Sequence, residues 1–140
     1  MVTPPIKSGA AEPNPRTVIV IEPDILVRMV IAEYLRDCGY KVVEGVTADD
    51  VMAVLDAGRK IDIVLAEVQL TGGIDGFALS QWIRSNHPAI DVILTSGADK
   101  AADKAGDICD EGPLKKPYHP QEVVRHINIL RERRRAVPKP

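Results

Sequence analysis

No apolar run in this sequence reaches the ~18 residues needed to cross a bilayer, and its first residues lack the apolar stretch of a secretory signal peptide. Neither a membrane partner nor export is expected, and the protein is expected to be cytoplasmic. An excess of charge is missing too. The formal net charge is -2 over 140 residues, which leaves no electrostatic footprint for nucleic acid, so that partner is not expected. Cysteine is scarce: Cys38 and Cys109 stand far apart without metal-ligand spacing and are expected to be reduced, buried thiols. His87, His119 and His126 also lack ligand spacing and read as structural or solvent-facing. Neither a GxGxxG nor a GxxxxGK[ST] stretch occurs, so no phosphate-cradling nucleotide loop is signalled.

What is present describes a single globular domain. The length is enough to bury a core without staples, and 45% hydrophobic with 27% charged residues is ordinary for such a fold. Residues 1–16 hold Pro4, Pro5, Pro13 and Pro15 and are expected to form a disordered arm; 17–131 is the folded domain, and 132–140 a basic tail. Residues 17–21, TVIVI, read as a strand covered on both faces. Asp24 then caps a helix over 25–38, stopped by Gly39. A second strand over 40–44 leads to a helix capped by Thr47 and ended by Gly58. A third strand, 61–66, runs to Glu67 and the Gly72-Gly73 turn, followed by a helix over 77–85 that His87-Pro88 terminates. The fourth strand is 91–94. The alanine- and charge-rich helix over 99–109 has Ile108 as its one large aliphatic and is expected to be the least firmly packed. A short fifth strand over 113–115 precedes Lys116-Pro117 and a last helix that starts at Pro120 and buries Val123, Val124, Ile127 and Leu130.

Strand and helix thus alternate five times, the pattern of a parallel sheet with helices on both faces. In such sheets ligands bind outside the carboxyl ends of the strands. The residues that converge there are Glu22 and Asp24 after the first strand, Glu67 after the third, Ser96 after the fourth and Lys116 after the fifth. Three acids, a hydroxyl and an ammonium suit a small anion or a metal. Each has a plainer reading: Asp24 as a helix cap alone, Ser96-Gly97 as turn chemistry, Glu67 as a carboxylate reaching solvent or paired with Lys116.

From Thr17 to about Leu130 the chain resembles the receiver domain of two-component response regulators, and the resemblance rests on these strand-end residues taken together. It implies a flavodoxin-like (βα)5 three-layer sandwich, with five parallel strands in the order 2-1-3-4-5. It implies that Glu22 and Pro23 stand where a pair of metal-holding acids is usual, Glu67 at the phosphoacceptor aspartate, Ser96 at the switch hydroxyl, and Lys116-Pro117 at the lysine with its cis proline. Gln69 matches the residue whose backbone carbonyl completes the Mg²⁺ shell. The readout aromatic of the fifth strand falls on Pro113, which cannot swing.

Two of these positions depart from the family. Pro23 offers no side-chain oxygen to Mg²⁺, which demands an octahedral oxygen shell, so Glu22, Glu67 and the Gln69 carbonyl are weak metal candidates and no cofactor is expected. Glu67 is one methylene longer than aspartate, which displaces its carboxylate by roughly 1 Å, and in-line phosphoryl transfer tolerates that badly. The same displacement places a permanent charge partway along the path of a phosphoryl group. The expectation is a degenerate, non-enzymatic receiver acting by protein contact without phosphorylation. Its partners would be a histidine kinase or other signalling protein, or a second copy through the fourth helix, fifth strand and fifth helix, with no output domain on this chain. The rivals are a conventional phosphoacceptor and, from another class, a Mg²⁺-dependent phosphohydrolase, although Gln69 stands where that chemistry usually wants a second acid.

Overall fold

The computed structural model describes residues 16–114 and 119–136. Four parallel strands form one sheet: β1 (Thr17–Ile21), β2 (Lys41–Gly45), β3 (Ile63–Glu67) and β4 (Asp91–Thr95), in the order β2-β1-β3-β4. β1 is β-branched throughout and buried along its whole length, as a strand with neighbours on both edges and helices on both faces must be. Alternation along the strands sends Val18, Val20, Ile63 and Leu65 to one core, and Ile19, Ile21, Val64 and Ala66 to the other.

The second core is closed by helices α2 (Ala48–Asp56) and α3 (Gly76–Asn86), through Val51, Leu55, Leu79 and Ile83. Thr47 and Asp50 form a reciprocal capping box at the start of α2, and Asp75 caps α3. The first core is closed by α1 (Ile25–Asp37), α4 (Gly97–Asp110) and α5 (Pro120–Ala136). The expected cap of α1 is present, with Asp24 Oδ1 accepting from the N–H groups of Leu26 and Val27, and Gly39 ends the helix at φ +99°. Pro120 of α5 lies against Gly106 of α4, while Arg131 reaches Asp24 at the start of α1, so α5 runs antiparallel to α1.

Four expectations need correction. The cysteines are not reduced: Cys38, the C-cap of α1, and Cys109, in the last turn of α4, form a disulfide with Cα atoms 5.4 Å apart. Their 71-residue separation in sequence concealed that the fold brings them within bridging distance.

The fourth helix is not loosely packed. Ala101, Ala102, Ala105, Gly106, Ile108 and Cys109 are all buried, because small side chains let α4 approach the sheet, α1 and α5 closely. The absent Cβ of Gly106 leaves the space that the Pro120 ring fills. α4 presents its charged side outward, with Asp99, Lys100, Asp103, Lys104 and Asp107 exposed, and its apolar face is buried within the domain.

Pro113 and Leu114 do not add a fifth strand; they lie in a turn, and Lys115 is outside the described residues. Pro113 packs on Gly39, and the Leu114 N–H donates to the Cys38 carbonyl at 3.0 Å, which holds this segment at the end of α1 and away from β4. The surface envisaged around a fifth strand is therefore not formed by the described residues. The basic run Arg133-Arg134-Arg135, placed in a tail by sequence, continues α5 to Ala136.

Candidate functional site

The carboxyl ends of β1, β3 and β4 bring Glu22, Asp24, Glu67 and Ser96 to one edge of the sheet. Lys116 and Pro117, expected there as well, lie outside the described residues, as does Tyr118.

Glu67 is half-buried at the last position of β3, and both of its oxygens are engaged by backbone. Oε2 accepts from the Gln69 N–H at 3.2 Å, and Oε1 accepts from the Gly97 N–H at 2.9 Å. Gly97 is the first residue of α4. Ser96, in the N-cap position of that helix, makes no side-chain capping bond, so the carboxylate from another strand satisfies a donor that the local hydroxyl leaves free. A negative charge at a helix N-terminus is further stabilised by the helix dipole, typically by ~0.3–1 kcal/mol. The backbone around Glu67 is held closely: Val68 N–H donates to the Thr95 carbonyl at 2.8 Å, and Gly76 N–H to the Val68 carbonyl at 2.8 Å. A Cβ at Gly76 would come within 2.5 Å of the Glu67 carbonyl oxygen, so only glycine fits there without moving the strand end.

Glu22 is 8% exposed and accepts the Asp24 N–H on Oε2 at 2.9 Å. Burial raises its pKa to about 6, against the Asp24 N–H bond that lowers it, and the charges of Glu67 and Asp24 add to the rise. Its carbonyl oxygen accepts from Arg28 Nη1 at 2.8 Å, and Arg28 also faces Glu44 at 3.4 Å. Asp24 uses its second oxygen differently. Arg131 Nη2 donates to Oδ2 at 2.8 Å. Burial works to raise the Asp24 carboxyl, but the Arg131 bond and the Val27 and Leu26 N–H groups together hold it below the usual value.

Arg131 is the residue that sequence reasoning missed. In sequence it stands at the boundary of the basic tail, and its partner is 107 positions away, so no local pattern announces the pair. The donor set does not fit Mg²⁺ as it stands. Pro23 has no side-chain oxygen, one oxygen of Glu22 and both oxygens of Asp24 and Glu67 already accept from protein donors, and a cation joining Asp24 would have to displace Arg131. Among the described residues there is no cluster of three or more His, Cys, Asp or Glu side chains arranged to hold a metal. A separate groove of about 640 Å³ runs between α1 and α5, lined by residues that include Leu26, Met29, Tyr34, Val123 and Leu130.

Comparison with known proteins places this geometry. Residues 18–128 match the profile of the response regulator receiver domain. The transcriptional regulatory protein PdtaR of Mycobacterium tuberculosis is 31% identical over 125 residues, covering 88% of this chain and 60% of that protein. The transcriptional regulatory protein AruR of Pseudomonas aeruginosa is 29% identical over 126 residues, covering 85% of this chain and 51% of that protein. The chain therefore spans between half and about 60% of the length of these curated relatives. Among solved structures, a response regulator from Chloroflexus aurantiacus superposes with a TM-score of 0.56 at 27% identity, covering 84% of this chain and 99% of that one. A CheY-like receiver domain from Methanospirillum hungatei gives 0.58 at 16% identity, with 86% and 96% covered, a likeness of fold alone.

Proposed function

Because the chain belongs to the response regulator receiver domain family, we propose that it works in two-component signalling as a receiver whose state is set by the fixed charge of Glu67 and not by phosphoryl transfer. The observation that carries this reading is the pair of bonds from Glu67 to the Gln69 and Gly97 N–H groups. A group at the end of β3 that joins the following loop to the N-terminus of α4 links the elements a phosphoryl group at this edge would have to link, and here the carboxylate does so permanently. Both oxygens are committed, so in-line attack on a donor would first require Glu67 to give up both bonds, and the donors of the acidic pocket do not fit the Mg²⁺ that would neutralise the charge of an incoming phosphoryl group. Arg131 takes the place of a mobile cation on Asp24.

On this reading the module acts by protein contact, with a histidine kinase or another signalling protein as the partner class, and catalyses no reaction. The PdtaR and AruR relatives carry names of transcriptional regulators; a link of this chain to gene control follows only through such a partner. The test is intact mass after incubation with a small phosphoryl donor and Mg²⁺. The expected result is an unchanged mass; a phosphoryl adduct on Glu67 would sink the reading and restore a conventional phosphoacceptor.

A further inference from the structure

The Cys38–Cys109 bridge has no part in the chemistry around Glu67, yet the same helix carries both. At its first residue α4 is bonded to Glu67 through the Gly97 N–H; in its last turn it is bonded covalently to α1 through Cys109. The two attachments are about 18 Å apart along the helix axis, at 1.5 Å per residue. Between them α4 contacts its neighbours mainly through Ala101, Ala102 and Ala105, with Ile108 as the one large buried aliphatic. Such a surface depends on close approach to the sheet, α1 and α5, and the covalent tie at Cys109 maintains that approach at this end of the helix.

The bridge sits where it can be reached by local opening. Both cysteines are buried, at 0% and 2% exposure, but the cover over Cys109 is the turn after α4, in which Glu111, Pro113 and Leu114 are exposed. That turn is held by the Leu114 N–H on the Cys38 carbonyl at 3.0 Å and by the Gly112 N–H on the Cys109 carbonyl at 2.9 Å, and its Leu114 carbonyl lies 3.8 Å from Cys109 Sγ, so local release of the turn opens a path to that sulfur.

We propose that Cys38 and Cys109 form a thiol redox site that sets how firmly α4 is docked, and through α4 the bond made by Glu67. The reactant class is a dithiol. One thiolate of the reductant attacks Sγ of Cys109, breaking the S–S bond and expelling the Cys38 thiolate, which takes up a proton. The second thiol of the reductant then attacks the mixed disulfide and frees Cys109, so two electrons and two protons pass to the protein and the reductant leaves as a disulfide. Reoxidation by a disulfide of the same class reverses both steps. The opening and closing of the bridge does not depend on the fixed-charge reading of Glu67, although its effect reaches the Gly97–Glu67 bond through α4.

Alkylation with and without reductant, read by intact mass, followed by amide hydrogen exchange on the full chain, tests it. The expected result is a bridge that opens reversibly in dithiol, with exchange over residues 97–112 faster by about tenfold or more and the amides of β1 and β3 unchanged. The Cys38→Ser/Cys109→Ser double variant should exchange like the reduced protein and ignore the reductant, while Glu67→Gln should keep the redox response. Should the double variant fail to fold, reversible reduction of the wild type still decides the matter. Two free thiols without reductant, a bridge that opens only on global unfolding, or equal exchange in both redox states would each overturn the proposal.

Discussion

Glu22 shows how far one side chain can set the behaviour of this edge of the sheet. Its folded pKa of about 6 lies above the ordinary 4.5, so the folded state binds its proton more tightly than the unfolded chain does. Its contribution to stability is therefore greatest below pH 4.5 and is lost as pH rises through 6, a difference of ~2 kcal/mol at 1.36 kcal/mol per unit. Asp24 works in the opposite sense: its lowered pKa stabilises the fold above the ordinary aspartate range and is lost on acidification. Denaturant unfolding as a function of pH should show Glu22→Gln removing the decline between pH 4.5 and 6 and raising stability at pH 7 by up to ~2 kcal/mol, since a glutamine oxygen can still accept the Asp24 N–H. An unchanged slope would mean that Glu22 is not the titrating group. Arg131 offers a second residue-level test. Arg131→Gln should cost about 1 kcal/mol or less, as the pair is more than a third exposed, but it should raise the Asp24 pKa, which carboxyl carbon chemical shifts would report.

Among the elements, α4 departs furthest from its sequence. An alanine-rich, charge-rich segment with one large aliphatic looks weakly anchored when apolar area is the only guide, whereas in the fold the missing side-chain volume is what admits it between the sheet, α1 and α5. Gly106 is the sharpest instance, because a Cβ there would overlap the Pro120 ring. Gly106→Ala should push α5 outward and destabilise the fold by ~1–3 kcal/mol, the range of an overpacked interface, even though alanine is the better helix former. Thermal unfolding distinguishes the outcomes: a gain in stability would show that α5 is not packed there. The other helices were legible because their signals are local. Asp24, Thr47 and Gly39 act within a few residues of themselves, and they begin or end helices where the sequence placed them. The Cys38–Cys109 bridge, the Asp24–Arg131 pair and the turn at Pro113-Leu114 depend on chain segments between 71 and 107 residues apart, and no local pattern encodes them.

For the molecule as a whole, the parallel sheet with helices on both faces followed from the alternation of apolar strands and helical patterns, and the strand-end rule located Glu22, Asp24, Glu67 and Ser96 at one edge. How those groups are satisfied was not legible, because it depends on side-chain reach across strands: Glu67 on Gly97, 30 residues away, and Arg131 on Asp24. The resulting site is self-contained, with its carboxylates answered by backbone donors and one arginine. Glu67 serves as the cap of α4. Amide hydrogen exchange at Gly97, compared between wild type and Glu67→Ala, tests it most directly. The Gly97 amide should be protected in the wild type, with exchange about tenfold or more faster once the carboxylate is removed. Equal exchange in the two proteins would contradict it.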